Sequence, residues 1–344
     1  MEQRYAATED AYELHEAIGS GAYATVYAAT LRATGEQLAI KVQSMEHHEW
    51  EDMRHEIAAM SLMHHPNVVR ILTSFAVRTD MWVVMPRLGL GSCAHILKVS
   101  QPLGFKDELV IGAILHGLLS ALVYLHADGR IHRDVKAANI LVSSTGRVQL
   151  GDFGVSCRRR SGVKHTTLIG SPLWLAPEVI EGVVGFDERA DIWSVGIVAL
   201  ELAFGRAPHA RCQPLKAMML TLQSEPPTAA LYASSANCSH TFSPAFHAFV
   251  AACLVKDPQA RPSAEQLLKH KFLHKLPGSA EARERFLQEH LAVVALPSIA
   301  SPTVQHSDVG YENTDLSDAE SSWSWSRSCS CITEPHFYND DEDA

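Results

Sequence analysis

The chain has 344 residues, 47% of them hydrophobic and 20% charged, enough for a large globular core and for one to three domains. Its formal charge of −10 is uneven: residues 276–344 hold 13 acidic against 3 basic side chains, whereas the first 275 carry 26 of each sign. A neutral body with an acidic end argues against sequence-independent nucleic-acid binding, which needs a basic surface.

Met1 to Asp10 is polar and acidic, unlike a secretory signal. From Tyr12 to Val42 the pattern is strand-like: "VYAAT" and "QLAIKV" are joined by "LRATGE", where Thr34-Gly35 is a turn signal. Glu49 to Met63 has helical spacing, with Met53, Ile57 and Met60 on one apolar face. "VVRILTSFAV" and "MWVVMPRL" (68–77 and 81–88) read as two more strands. After Gly91 helices dominate, notably Leu109 to His126 and Ala190 to Ala203. The apolar stretch Ile111 to Leu125 is broken by Gly112, His116, Gly117 and Ser120, which suits a buried helix better than a membrane span. Strands first and helices later predict two lobes with a hinge near 86–91. The last packed element ends near Phe272; Ala280 to Leu296 could form one more helix, and 297–344 reads as an acidic disordered tail. The seven cysteines lack paired CxxC spacing, which points to reduced thiols and a cytoplasmic protein.

Three motifs carry chemistry. In "IGSGAYATVY", Ile18, Gly19, Ser20, Gly21 and Val26 sit in a β-alternating stretch with no helix directly after the glycines. A dinucleotide fold would need that helix; a glycine hairpin instead can lay backbone N–H groups over phosphates. "LAIKV" places Lys41 within an apolar strand, where an ammonium needs a partner. Glu56, on the following helix, is the best-placed candidate. The third block, "IHRDVKAANILV", packs His132, Arg133, Asp134, Lys136 and Asn139 between apolar flanks. It is followed by "DFG" from Asp152 and "APE" ending at Glu178.

This order of motifs resembles the eukaryotic protein kinases over about residues 12–273. The resemblance is closest to the sterile-20-like family, germinal-centre branch, oxidative-stress-responsive group, through "YELHEAIGSGA", "MSLMHHPNVVRILTSF", "GSPLWLAPEVI" and "MLTLQSEPP". It implies an α+β bilobal fold, with a small β-rich lobe (12–86), a hinge (86–91) and a large helical lobe (92–273), flanked by a short extension (1–11) and a helical one (274–296). It further implies ATP and Mg²⁺ as cofactors, protein substrates, an upstream activating kinase or scaffold as partner, and neither nucleic acid nor membrane insertion. Lys41 would hold the α- and β-phosphates and pair with Glu56; Asp134 would take the substrate proton, and Asn139 and Asp152 would bind Mg²⁺. Lys136 points to serine/threonine specificity. Val26, Ala39 and Leu141 would sandwich the purine, Met85 would precede the hinge, and Leu88 would meet the adenine. Thr167, or Thr166, would be the regulatory phosphosite and Ser171 a substrate-site hydroxyl. Asp191 would buttress the catalytic loop and Arg261 would pair with Glu178. Two other readings compete: a pseudokinase scaffold or allosteric activator, and a kinase of small molecules or lipids. The first commonly lacks one of Lys41, Asp134 or Asp152, all present here; the second would leave "APE" without a task.

Overall fold

A five-stranded antiparallel sheet begins with β1 (Tyr12–Ser20), β2 (Ala24–Leu31) and β3 (Glu36–Ser44). The structure, a computed structural model, describes residues 5–21, 24–44, 57–58, 60–152, the backbone of 157–158, 168–183, 185–230 and 240–291. Gly35 supplies the left-handed residue (φ 72°) that the β2–β3 turn requires. The order β1-β2-β3-β5-β4 is completed by β4 (Thr73–Val77) and β5 (Asp80–Pro86). β-Branched and aromatic residues suit these strands, whose alternation separates two faces. One face packs Tyr12, Ala29, Leu31, Leu38, Ile40, Trp82 and Val84 into a small core of its own.

Two strand expectations need correction. Only residues 73–77 of the stretch 68–77 are strand. The amide of Val69 donates to the Leu150 carbonyl and that of Leu150 to the Asn67 carbonyl, so residues 67–69 are tied to the large lobe instead. The expected strand 81–88 stops at Pro86, leaving Arg87 and Leu88 in the connection to the large lobe. Of the helix expected over 49–63, residues 57, 58, 60 and 61 are described and helical; Leu62, in a turn, and Met63 already lie beyond the helix, and 49–56 and 59, Glu56 included, lie outside the described residues.

The large lobe begins with β6 (Gly91–Ser92) and α1 (Cys93–Ser100), whose first turn is capped by Ser92 accepting from the His95 amide. α2 (Glu108–Ala127) starts at Asp107, whose carboxylate accepts from the Leu109 amide. α2 is long and apolar enough to cross a membrane, but 67% of its most apolar window is buried inside the protein, as befits a core helix. Short β7 (Arg130–Ile131), β8 (Ile140–Val142) and β9 (Val148–Leu150) follow, with β6-β8-β9 forming a three-stranded sheet and β7 pairing with β10 (Cys157–Arg158). α3 (Pro177–Glu181), α4 (Arg189–Phe204), α5 (Pro214–Gln223), α6 (Pro244–Cys253) and α7 (Ala264–Leu268) complete the lobe. α4 is buried on every side, and one large core runs from Ile57 to Leu291. Beyond a 3-10 turn at Lys271–Leu273, α8 (Ala280–Leu291) packs back on this lobe. The helix expected to reach Leu296 is described to Leu291, and the tail 297–344 lies outside the described residues.

Candidate functional site

The segment between β7 and β8 is held from below. Asp191, at the start of α4, accepts from the His132 amide (2.9 Å, Oδ2) and the Arg133 amide (2.9 Å, Oδ1), and its Oδ2 also meets His126 Nε2 at 2.8 Å. Burial alone would raise the Asp191 pKa, but His126, His132 and these bonds hold the carboxyl below the ordinary carboxylate range. His132, buried, accepts the Asp134 amide at Nδ1, so its proton sits on Nε2 and is donated to the Gly151 carbonyl at 3.1 Å. Arg133 takes the left-handed conformation (φ 68°) in this clamp. The chain can therefore turn and present the next side chain, Asp134, to the cleft.

Four chemically active side chains meet there. Asp134 Oδ1 accepts from Ser171 Oγ (2.7 Å) and from the Ser171 amide (3.1 Å); its Oδ2 lies 2.9 Å from Asn139 Nδ2 and 3.0 Å from Lys136 Nζ. Lys136 Nζ also donates to Ser171 Oγ at 2.7 Å. The carboxylate is thus fixed in orientation with a cation beside it, an arrangement able to receive a hydroxyl proton and steady a nearby anion. Gly170 lets the Ser171 segment approach: at φ 126° a Cβ there would stand 2.4 Å from the Arg133 carbonyl oxygen.

Above the cleft, opposing pairs put Val26, Lys41 and Val83 side by side across β2, β3 and β5, and Ala28, Ala39 and Met85 likewise. This is the sheet face opposite the small core. Lys41 reaches across to Asp152 Oδ1 at 2.5 Å, joining the two lobes. Desolvation would raise the Asp152 pKa, but Lys41, with Lys136 and His132 behind it, holds it below the ordinary value. The sequence expectation paired Lys41 with Glu56; the described residues contain the Lys41–Asp152 pair, while Glu56 lies outside them. Gly19 stands opposite Val26, and the Gly21 amide closes the β1–β2 hairpin on the Ala24 carbonyl at 2.8 Å. Ser20 ends β1, Ile18 on the same strand is partly exposed, Leu141 lies on β8 against Gly151, and the Leu88 carbonyl accepts from the Gly91 amide. Thr166 and Thr167 fall outside the described residues.

Two residues passed over in the sequence complete the site. Glu201, buried in α4, accepts from the Ala137 amide (3.1 Å) and from Trp174 Nε1 (3.0 Å), both at Oε2. It thereby ties the Asp134 segment to the turn that follows Ser171. Burial pushes its carboxyl up to about 7, with those two bonds and Lys136 pulling the other way. Its signal was present: Asp191 and Glu201 are the only acidic residues in the apolar run 190–204. His126 is the second. Further out, Arg261 and Glu178 form a bidentate pair at 2.6 and 2.7 Å.

Asn139 spends its amide protons on Asp134, and neither its Oδ1 nor Asp152 Oδ2 has a hydrogen-bond partner among the described residues. Two hard oxygens of this kind suit Mg²⁺, which commonly takes one or two protein ligands plus substrate phosphates. The described residues contain no group of three or more His, Cys, Asp or Glu able to hold a metal by themselves.

A protein kinase domain family matches residues 12–273. Germinal center kinase 3 of Caenorhabditis elegans is 40% identical over 321 residues, covering 88% of this chain and 52% of that protein. Serine/threonine-protein kinase fray2 of Dictyostelium discoideum is 44% identical over 275 residues (78% and 26%), and sporulation-specific protein 1 of Saccharomyces cerevisiae 40% over 265 (76% and 52%). The chain spans about half the length of these relatives or less. The bilobal α+β fold, the family match and these relatives together establish that the chain belongs to the protein kinase family, in its sterile-20-like, germinal-centre branch.

Proposed function

We propose that this protein is an ATP-dependent serine/threonine protein kinase, and that residues 12–273 form its catalytic domain. The observation that carries this reading is the junction of Asp134, Lys136 and Ser171 beneath the Lys41–Asp152 bridge. It offers an oriented base and a cation on the large-lobe side and a second cation on the small-lobe side. Phosphoryl transfer needs positioning and charge neutralisation more than covalent help.

In this reading ATP enters between the lobes, with its purine between Val26 and Ala39 above and Leu141 below, beyond Met85 and against Leu88. The glycine hairpin covers the phosphates and Lys41 holds the α- and β-phosphate oxygens. Asn139 Oδ1 and the Asp152 carboxylate hold Mg²⁺, which neutralises phosphate charge. The substrate hydroxyl lies beside Asp134. Its oxygen bonds to the γ-phosphorus, the bond from that phosphorus to the β–γ bridging oxygen breaks, and the hydroxyl proton passes to Asp134. Lys136 balances charge on the transferred group, and Ser171 fixes both side chains.

Phosphorylation of Thr167, with Thr166 as the neighbouring candidate, supplies the switch: a phosphate adds roughly −1.5 to −2 charge at pH 7 and can pair with Arg133. Following the sequence resemblance, we place it in a signalling cascade of the stress-responsive kind, in the cytoplasm, under an upstream kinase or scaffold. The test is phosphorylation of casein by the full chain with Mg-ATP. Transfer is expected in the wild type and lost in Asp134→Asn; transfer that survives in Asp134→Asn overturns the assignment.

A further inference from the structure

The helix α8 lies beyond residue 273, where the kinase domain match ends, yet its contacts lead to the nucleotide cleft. Twelve residues are marginal as an isolated helix, so α8 depends on what it packs against. Leu287 and Leu291 are buried in the large-lobe core, with Phe286 packed beside them. The polar side of the helix grips one turn, residues 143–147, between β8 and β9. Glu284 takes a forked pair from Arg147 (Nε to Oε1 2.7 Å, Nη2 to Oε2 3.3 Å). Gln288 Nε2 donates to the Ser144 carbonyl at 3.0 Å.

The turn is shaped to receive the helix. Gly146 is left-handed (φ 82°), and a Cβ there would stand 2.0 Å from the Glu284 carbonyl oxygen and 2.7 Å from the Gln288 nitrogen. The backbone of α8 therefore rests directly on a residue that has to be glycine for two separate reasons.

On its other side the same turn abuts the connection between the lobes. A Cβ on Gly89 would stand 3.0 Å from Ser144 Cβ, a tight fit. The Leu90 amide donates to the Val142 carbonyl at 3.0 Å, and β6 pairs with β8 at Gly91–Val142 and Ser92–Leu141. A shift of the turn would thus move Gly89 and Leu141 together, one in the interlobe connection and one on the floor of the cleft.

We infer that α8 is a positioning element for nucleotide binding: Glu284 and Gln288, through the 143–147 turn, set the spacing between the interlobe connection at Gly89 and the cleft floor at Leu141. The inference rests on the reading that ATP binds between the lobes. It extends the working catalytic unit to Leu291. Neither Glu284 nor Gln288 touches the reacting atoms, so their effect falls on ATP affinity and leaves the handling of the protein substrate alone.

The test uses the full chain as wild type, Gln288→Ala, Glu284→Ala, the double variant, and the charge-swapped pair Arg147→Glu with Glu284→Arg. Equilibrium binding of a fluorescent ATP analogue is measured with KM for ATP, KM for casein, kcat and Tm. Each single variant is expected to weaken nucleotide binding about threefold and the double about tenfold, with kcat at saturating ATP and KM for casein within about twofold of wild type. The swapped pair is expected to recover most of the loss caused by Glu284→Ala. Nucleotide affinity that stays at the wild-type value in Gln288→Ala and Glu284→Ala overturns the inference, even if Tm falls, because α8 is then a packing element only. Gln288→Ala removes one surface hydrogen bond and keeps the test readable if the double variant does not fold. A wild type that binds no ATP overturns the kinase reading itself, and the inference with it.

Discussion

Replacing Glu201 by glutamine removes a buried charge while an amide oxygen stays where Oε2 now accepts from the Ala137 amide and Trp174 Nε1. The Glu201 carboxyl is pushed up to about 7 from its ordinary 4.5, chiefly by burial. Below pH 4.5 it is protonated both folded and unfolded and contributes no pH dependence. Between pH 4.5 and 7 the unfolded chain has lost this proton and the folded one keeps it, so stability falls as pH rises. Above 7 both forms are ionised and the full penalty of the buried carboxylate, about 3 kcal/mol, is in place. Glutamine carries no such penalty. The Tm of Glu201→Gln minus that of wild type is therefore expected to climb between pH 5 and 7 and then level off. The total rise is about 5 °C for a folded unit of this size. Differential scanning fluorimetry of the two proteins in parallel, in matched buffers from pH 5 to 8, measures this, since titrations common to both cancel. A Tm difference that is flat across that range would refute the reasoning, because Glu201 would then not take up a proton on folding.

Other substitutions probe neighbouring parts of the argument. Ser171→Ala deletes the hydroxyl shared by Asp134 and Lys136 and is expected to lower kcat by about tenfold to a hundredfold, judged from the worth of hydrogen bonds to charged groups. ATP affinity is expected to stay unchanged, and an unaltered kcat would count against the site as drawn. Thr167→Ala is expected to bind ATP like wild type but turn over more slowly in steady-state assays; full activity would eliminate the proposed switch. Arg261→Ala leaves Glu178 without its bidentate partner and also vacates bonds to the Val255, Lys256 and Arg189 carbonyls. Breaking so buried a pair costs about 3–5 kcal/mol, so Tm is expected to fall by several degrees, and a loss of under about 1 °C would show the pair to be dispensable.

The parts of the site legible in the sequence were those whose chemistry is local. Asp134, Lys136 and Asn139 stand within six residues of one another, and Lys41 stands out as a cation in an apolar strand. The register that sets Val26, Lys41 and Val83 side by side follows from alternation once the strands are paired. Elsewhere the limiting feature was the backbone. The stretch 68–72 has the β-branched look of a strand, yet the amides of Val68, Val69 and Leu72 go to the carbonyls of His65, Leu150 and Val84 as the chain passes between lobes. Glu201 reads as an odd charge in an apolar helix, and one of its partners is the Ala137 amide, which any residue but proline would supply. Gln288 meets the Ser144 carbonyl, another group without a sequence signature, and the left-handed Gly146 is further required because a helix more than a hundred residues later lies on it. Hydrophobic periodicity reports which side chains leave water; it carries no record of which backbone donors and acceptors a distant polar side chain will satisfy. Buried polar groups must nevertheless be satisfied. A lone Glu or Gln on an otherwise committed helix is therefore a sign that a backbone segment is being held, and the segment must be found in three dimensions.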